Sequence, residues 1–186
     1  MIVKHFLLDL IEVNAHVAAC METREAMLID AGTFDDRIAA YLSEHGLTLK
    51  TVFITHDHYD HVDGLAEYVR RYKPEVLAGT AKIGGCASRV VKEGDTVRVG
   101  KHIGRVLSTP GHTPVALCLA FPGHVFTGDA LFAGSVGGTS TQENYDRQIA
   151  EVRTHILSLP PETVVHCGHG PASTIAVESR YNPFFV

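Results

Sequence analysis

A dense run of metal-ligand side chains directly follows a short apolar segment, and it constrains this chain more than any other feature. The run is Thr55-His56-Asp57-His58-Tyr59-Asp60-His61, and it comes after a buried strand predicted at 51–54. Neutral imidazole and carboxylate are the ligands that hold zinc, iron or manganese where water stays reactive. Because strand ends converge on one edge of a layered α/β protein, the run predicts a metal site at such an edge.

Four ligands within one run cannot all bind a single tetrahedral ion, so the run predicts the start of two sites. His56 and His58 lie two residues apart and face the same way in an extended segment. Asp60 and His61 are adjacent, and their side chains diverge. We therefore predict that His56 and His58 begin site 1, and that Asp60 and His61 begin site 2.

Three further ligand candidates each follow a short apolar strand and sit beside Gly or Pro. The convergence of strand ends assigns His112 to site 1 and His169 to site 2. Asp129 can bridge both sites, because a carboxylate has two oxygens. The predicted metal ligands are His56, His58, Asp60, His61, His112, Asp129 and His169.

These motifs, in this order, resemble those of the metallo-β-lactamase superfamily and, within it, the glyoxalase II-like thioester hydrolases. The resemblance covers nearly the whole chain, from Leu28-Ile29-Asp30-Ala31-Gly32 through the histidine run, His112 and Thr127-Gly128-Asp129 to Gly168-His169-Gly170. The segment 178–184 is similar to the tail of short bacterial members. The resemblance implies a mixed α/β, four-layer αββα sandwich with a two-metal site at one edge. Asp30 would support the ligands from its strand end without binding an ion.

The resemblance also implies an activity, the hydrolysis of a hydroxyacyl thioester by a metal-bound hydroxide, as in hydroxyacylglutathione hydrolases. Two divalent ions are expected as cofactors. Zinc is expected first, with iron or manganese as alternatives, because all three suit His and carboxylate ligands. Asp60 is expected to be catalytic as well as a ligand, since it can accept a hydrogen bond from the attacking water and orient it. The expected partner is a small-molecule thioester substrate.

The chain departs from full-length glyoxalase II, which carries a C-terminal helical extension whose basic residues grip glutathione. We predict one metallo-β-lactamase-like domain over residues 1–186 without that extension. The segment 133–139, after Asp129, also contains no Lys or Arg. Recognition of glutathione is therefore open, and a different thioester, an ester or a lactone is an alternative substrate.

An oxidoreductase of the same superfamily is an alternative of a different class. A persulfide dioxygenase uses a single iron held by two His and one Asp, which here would be His56, His112 and Asp129. A flavodiiron-type reductase is disfavoured because His58 stands where that group has a carboxylate. A true β-lactamase is disfavoured because it lacks the bridging Asp. A non-enzymatic metal-binding module would leave the complete ligand set unexplained.

Composition narrows the partners and the location. The chain has 186 residues, of which 45% are apolar and 20% charged, and its net charge is −5, which suits one globular domain. No Lys/Arg cluster indicates a nucleic-acid face, and no segment suits a membrane span or the apolar core of a signal peptide. The four cysteines form no C-x-x-C pair. We expect a cytoplasmic protein with reduced thiols and no nucleic-acid or membrane partner; the oligomeric state is open.

Apolar periodicity and capping signals predict three main helices. The first begins at Phe34 with Thr33 as its N-cap. The second covers 62–72, with Ala66 on its apolar face. The third begins at a capping box formed by Ser140 and Glu143.

Two histidines outside the ligand set receive their own predictions. His16 is predicted to be a core histidine. His166, three residues before His169, is a weaker candidate for supporting that ligand.

Overall fold

Three stacked apolar clusters separate the secondary structure into four layers. The computed structural model describes residues 1–186. The middle cluster lies between two sheets and contains Met27 and Phe53 from one sheet and Leu119 and Phe126 from the other. The two outer clusters lie between each sheet and its helices. This layering confirms the predicted αββα sandwich.

The first half of the chain forms one six-stranded sheet. Its strands are β1 (Ile2–Leu7), β2 (Asn14–Ala19), β3 (Glu25–Ile29), β4 (Thr48–Phe53), β5 (Glu75–Ala78) and β8 (Arg89–Val90). Between β5 and β8, the strands β6 (Lys82–Ile83) and β7 (Cys86–Ala87) form a separate hairpin. The spatial order is β1-β2-β3-β4-β5-β8. The pairs β1–β2 and β2–β3 are antiparallel, whereas β3, β4, β5 and β8 run parallel. Every residue of β2 is buried, which places this strand in the sheet interior.

The second half forms the facing six-stranded sheet. Its strands are β9 (Thr96–Val99), β10 (His102–Ser108), β11 (Leu117–Phe121), β12 (His124–Gly128), β13 (Val164–Cys167) and β14 (Ser173–Thr174). The spatial order is β14-β13-β12-β11-β10-β9, and only β12 and β13 pair in parallel. The carboxyl ends of β10, β12 and β13 therefore lie at the same edge.

The helices cover the outer faces of the two sheets. They are α1 (Asp36–Glu44), α2 (Tyr59–Val62), α3 (Leu65–Tyr72), α4 (Gln142–Glu151), which continues as a π-helical turn (Val152–Ile156), and α5 (Ile175–Tyr181). α1 and α3 pack on the first sheet through Ile38 and Leu65, among others. The π-helical turn and α5 pack on the second sheet through Ile156 and Ile175. None of these helices has the length and apolar character that a membrane crossing requires.

The predicted start of the first helix is wrong by two residues. Asp35, not Thr33, is the N-cap: its backbone is extended and its carboxylate accepts a hydrogen bond from the Arg37 amide at 2.7 Å. Phe34 lies outside the helix, and its ring packs on Tyr68 at 4.8 Å. The side chain of Phe34 is therefore used for packing before the helix begins.

The predicted helix at 62–72 is broken into α2 and α3 at Gly64. Gly64 donates a backbone hydrogen bond to Gly32, and a Cβ at position 64 would collide with the backbone between Thr33 and Phe34. This close approach needs glycine and interrupts the helix. Ala66 is exposed, and Tyr68 is buried in its place.

The third helix has Thr141 as its N-cap, so the predicted capping box on Ser140 is wrong. Thr141 has an extended backbone, and its hydroxyl accepts a hydrogen bond from the Asn144 amide at 3.1 Å. The start is displaced by one residue because both candidates are good caps and only the backbone geometry separates them.

Candidate metal centre

Seven imidazole and carboxylate side chains meet at the edge where the carboxyl ends of β4, β10, β12 and β13 converge. They form two groups, each with ligand atoms that lie within 4.8 Å of one another. The first group is His56, His58, His112 and Asp129, and the second is Asp60, His61 and His169. The structure thus brings together every residue predicted to bind metal, with the division between two sites that the sequence predicts.

Asp129 lies between the two groups. Its Oδ2 is 3.5 Å from Nε2 of His112 in the first group and 3.6 Å from Nε2 of His169 in the second. Its Oδ1 is 3.3 Å from Nε2 of His61. Although Asp129 belongs to the first group by mutual proximity, these distances show that it contacts both.

Within each group the ligand atoms point at a common space. Nδ1 of His58 and Nε2 of His112 are 2.9 Å apart in the first group. In the second group, Oδ2 of Asp60 is 3.0 Å from Nε2 of His169 and 3.6 Å from Nε2 of His61. The nitrogens of His58 and His112, which come from separate segments, are close enough to bind the same cation.

Asp30 and Thr55 hold the buried histidines from behind. The Asp30 carboxylate accepts hydrogen bonds from Nδ1 of His61 at 2.9 Å and from the Thr55 amide at 2.8 Å. The Thr55 hydroxyl donates to Asp30 and lies 3.0 Å from Nδ1 of His56. With Nδ1 engaged in both histidines, Nε2 is the nitrogen left for an ion. Asp30 is thus the supporting residue that the resemblance implies.

The backbone of Asp30 is itself unusual. Its φ is +55°, in the left-handed region that β-strand residues avoid. This conformation is found where strand β3 ends, and it turns the carboxylate toward Thr55 and His61. Local strain held by the surrounding structure is typical of functional sites.

The loop after β12 fixes His112. Nδ1 of His112 donates to the carbonyl of Gly138 at 2.6 Å, which leaves Nε2 facing Asp129. The Gly137 amide in turn donates to the carbonyl of Asp129 at 3.0 Å. The loop therefore ties two predicted ligands to each other.

Three buried ligand atoms have no hydrogen-bond partner within the protein. They are Nε2 of His56, Nε2 of His61 and Oδ1 of Asp129. Burying such atoms without a partner costs free energy, and nearly all buried polar groups in native proteins are satisfied. A divalent cation in each group would give all three atoms a partner, so the residues present fit a metal centre.

Burial and neighbouring charges set the protonation of these groups, and the two carboxylates beside His61 favour a positive charge there. Burial lowers the pKa of His56 to about 2, so its imidazole is neutral at physiological pH. Burial lowers the pKa of His61 as well, but the carboxylates of Asp30 and Asp129 outweigh it and raise that pKa to about 10. Burial raises the pKa of Asp129, but His61, His56 and His169 outweigh it and lower that pKa to about 2. A divalent cation would compete with a proton for Nε2 of His61.

Gly168 makes room for this centre. A Cβ at position 168 would overlap Oδ1 of Asp129 and lie 2.7 Å from Cε1 of His61. The backbone between β13 and His169 can pass this close to the ligands only without a side chain.

Sequence reasoning missed several supporting residues. Thr55 lies inside the histidine run, and its position next to His56 was the available signal. Gln148, Glu178 and Asn182 are buried beside the loop at 129–138. No motif indicates Gln148, and the resemblance of the segment 178–184 to short bacterial members gave Glu178 and Asn182 no role. His166, the weaker candidate, does not support His169, because its ring stacks on Phe126 and bonds to His124 instead. His16 is buried, as predicted for a core histidine, and all four cysteines are unpaired.

A family model of the metallo-beta-lactamase superfamily matches residues 9–84 and 87–169. The matched residues include all the predicted ligands and Asp30.

Two relatives of this chain are named as hydrolases. The chain is 32% identical over 151 residues to a hydroxyacylglutathione hydrolase of Hydrogenovibrio crunogenus, covering 80% of this chain and 54% of that protein. It is 28% identical over 207 residues to the hydroxyacylglutathione hydrolase GloC of Haemophilus influenzae, covering 95% of this chain and 97% of that protein. The chain thus spans about half the length of the first relative and nearly all of the second.

Solved structures share the fold over almost the whole chain. ETHE1 from Myxococcus xanthus superimposes with a TM-score of 0.89 at 34% identity, over 98% of this chain and 84% of that one. TTHA1623 in a di-iron-bound form superimposes with a TM-score of 0.83 at 30% identity, over 97% of this chain and 99% of that one. Together with the family match and the αββα layering, these likenesses show that the chain belongs to the metallo-beta-lactamase superfamily.

Proposed function

We propose that this protein is a metal-dependent hydrolase of hydroxyacyl thioesters, with two divalent ions held at the edge of its sandwich. The observation that carries the proposal is the position of Asp129 between two ligand groups whose buried atoms have no protein partner. The names of the hydroxyacylglutathione hydrolase relatives support the thioester, and the di-iron-bound form of TTHA1623 supports two ions.

Each ion has its own set of side chains in this proposal. His56, His58 and His112 would hold one ion and Asp60, His61 and His169 the other, and Asp129 would contribute to both. Two bound divalent ions supply an activated water at neutral pH and polarise the substrate carbonyl. Zinc is the proposed metal, and iron or manganese suit the same ligands.

Asp60 has a second task beyond binding. Its Oδ2 lies 3.0 Å from Nε2 of His169, which leaves Oδ1 to accept a hydrogen bond from water. Asp60 is 9% exposed, and the His169 side chain beside it is partly exposed to solvent. The carboxylate can therefore orient a water and accept its proton.

Buried residues behind the centre hold two of the ligands in position. Asp30 fixes the tautomer of His61, and Thr55 fixes the orientation of His56. A thiolate is a good leaving group, so the reaction needs little help from a general acid. The proposed chemistry uses the chain's carboxylates and requires no nucleophilic side chain.

The surface next to His112 favours a thiol carrier that is recognised without charge. A shallow cavity of about 340 Å³ begins one residue after Gly138 and is lined by uncharged side chains, Thr139, Ser140, Thr141, Gln142 and Tyr145. Hydroxyl and amide groups there can bond the polar backbone of a thiol carrier. No Lys or Arg lines this cavity to pair with a carboxylate of the thiol carrier.

The test is hydrolysis of paired thioesters by the metal-loaded protein. We expect turnover of lactoylglutathione and of the lactoyl thioester of N-acetylcysteamine, a neutral thiol, because the cavity offers no cation for the glutathione carboxylates. The matched control is Asp129→Ala, which removes the residue between the two ligand groups and should abolish turnover of both. Failure of the metal-loaded wild type to release thiol from either substrate would refute the proposal.

A mononuclear-iron persulfide dioxygenase is the second candidate. His56, His112 and Asp129 form a two-His, one-carboxylate set of the kind that holds iron with open positions. The likeness to ETHE1 supports keeping this candidate. One iron per chain and oxygen uptake with a persulfide, without thioester hydrolysis, would favour it.

A further inference from the structure

The loop at 129–138 connects three of the proposed ligands. It begins at Asp129, and the carbonyl of Gly138 at its end accepts a hydrogen bond from His112. Between them, the ring of Phe132 meets the ring of His169 edge-on, with centroids 6.0 Å apart. The loop contains a single tight bridge, between Phe132 and Ser135, and no regular element. Its shape therefore depends on contacts from outside.

Two buried polar side chains of the C-terminal segment provide such contacts at the tip of the loop. Oε2 of Glu178 accepts a hydrogen bond from the Gly134 amide at 2.9 Å. Nδ2 of Asn182 donates to the carbonyl of Ser135 at 3.1 Å and to Oε2 of Glu178 at 2.8 Å. Both side chains are 1% exposed. α5 and the residue after it thus hold the loop tip about 45 residues upstream in the sequence.

The bonding of Glu178 is complete. Its other oxygen, Oε1, accepts a hydrogen bond from the Ser173 hydroxyl. All of its partners are donors, which suits an ionised carboxylate. A buried carboxylate is costly unless it is bonded in this way, and an apolar residue at 178 would fill the space without that cost. The carboxylate therefore serves to fix the loop rather than to fill the core.

A third buried polar residue, on α4, forms hydrogen bonds with the two ends of the loop. Nε2 of Gln148, on α4, donates to the carbonyls of Ala130 at 3.2 Å and Gly137 at 3.0 Å. Gln148 thereby holds the two ends of the loop, whereas Glu178 and Asn182 hold its tip. The loop is clamped between the two helices that cover the second sheet.

We propose that Glu178 and Asn182 are positioning residues for the metal centre, acting through the loop at 129–138 on Asp129, His112 and His169. This inference rests on the proposed function, because it concerns the affinity of the ions that the proposal places there. Neither residue contacts a ligand side chain. Their loss changes the centre by freeing the segment that aligns it.

Four variants test this role. Asn182→Ala and Glu178→Ala remove the contacts to the loop. Glu178→Gln is the conservative variant, because its amide oxygen can accept from Gly134 and Asn182 while its NH2 donates to the Ser173 hydroxyl. Val17→Ala is the stability control, since Val17 is fully buried in the outer cluster of the first sheet and lies away from the loop.

The primary measurement is the dissociation constant for zinc, obtained by competition with a chelator. We expect both alanine variants to bind zinc roughly tenfold or more weakly, the range found when residues behind metal ligands are removed. Glu178→Gln should stay within about threefold of wild type, because its hydrogen bonds are preserved. In the metal-free protein, hydrogen exchange at the Gly134 and Gly137 amides should accelerate in the alanine variants but not in Val17→Ala.

Two results would overturn the inference. One is zinc affinity in Asn182→Ala equal to that of Val17→Ala at equal loss of stability, which would make the role purely structural. The other is unchanged exchange at Gly134 and Gly137. If Glu178→Ala does not fold, Asn182→Ala carries the test. A wild type that binds zinc tightly but hydrolyses no thioester would refute the proposed function. The zinc affinities of the variants would still test this inference.

Discussion

The carboxylate of Asp30 accepts a hydrogen bond from Nδ1 of His61 at 2.9 Å, and both side chains are almost fully buried. The same carboxylate accepts from the amide and hydroxyl of Thr55. Every partner of Asp30 is thus a donor. This arrangement protonates His61 on Nδ1 and presents Nε2 to Asp129 and the proposed ion.

Replacing Asp30 with asparagine should weaken metal binding while changing the shape of the site little. The asparagine NH2 would face a donor, so His61 would favour the tautomer protonated on Nε2, which cannot bind an ion. We expect roughly a tenfold to hundredfold loss of zinc affinity, measured by chelator competition. Asp63→Asn is the matched control, because Asp63 is exposed two residues after His61. Equal affinities in the two variants would contradict the role given to Asp30.

The division into two sites predicts different metal contents for two single variants. His112→Ala should lose the ion of the first group, and His169→Ala the ion of the second, because each removes one ligand from one group only. Each variant should therefore hold one ion per chain where wild type holds two, as measured by mass spectrometry of metal content. Retention of two ions in either variant would show that the residue replaced is not a ligand.

Gly168→Ala should damage the centre from the backbone side. The new methyl group would overlap Oδ1 of Asp129, and the backbone φ of Gly168 is not in the left-handed region, so alanine is otherwise tolerated. Overpacking of this kind costs about 1–3 kcal/mol. If the methyl group displaces Asp129 and His61, this free-energy cost weakens zinc binding. The affinity then drops by roughly tenfold or more, since 1.4 kcal/mol corresponds to a factor of ten. Wild-type affinity in Gly168→Ala would mean that Asp129 has more room than the structure gives it.

A second group of histidines predicts acid sensitivity that is independent of metal. Burial, together with His124 and His5, lowers the pKa of His166 to about 4. Burial, together with His166 and His5, also lowers the pKa of His16 well below its usual range. These histidines lie next to one another on β1, β2, β12 and β13. The ring centroids of His5 and His16 are 5.4 Å apart, and Nδ1 of His124 is 3.0 Å from Nε2 of His166.

The sign follows from proton uptake. As pH falls below about 6.5, the unfolded chain binds protons that the folded chain does not, so the free energy of unfolding decreases. This loss continues down to about pH 4, where His166 is protonated in the folded state. His166→Gln should therefore make the loss between pH 7.5 and pH 5 shallower, as measured by urea unfolding in the presence of chelator. An unchanged slope would show that His166 does not contribute.

The ligands were predictable because each follows an apolar strand, and strand ends of such a sandwich converge. His112, Asp129 and His169 are far apart in sequence, but they needed only that rule and a Gly or Pro beside them. The resemblance to a known family added Asp30, which no local pattern indicates. The fold class followed from the same order of motifs.

The supporting contacts were not predictable, because they depend on tertiary approach rather than on local pattern. Glu178 follows the start of a short amphipathic helix and has the pattern of a surface residue, yet it is buried against a loop that ends 40 residues earlier. Gly64 interrupts a good helical pattern only because residues 32–34 pass beside it. The burial of Glu178 and the helix break at Gly64 each depend on a contact between segments that are distant in sequence.

The central claim is that two ions share this centre through Asp129, and metal stoichiometry tests it most directly. The protein is loaded in turn with zinc, iron and manganese, freed of unbound metal, and measured for metal per chain by mass spectrometry. The account predicts two ions per wild-type chain with at least one of these metals, falling to one or none in Asp129→Ala. A wild-type chain that never holds more than one ion would contradict it.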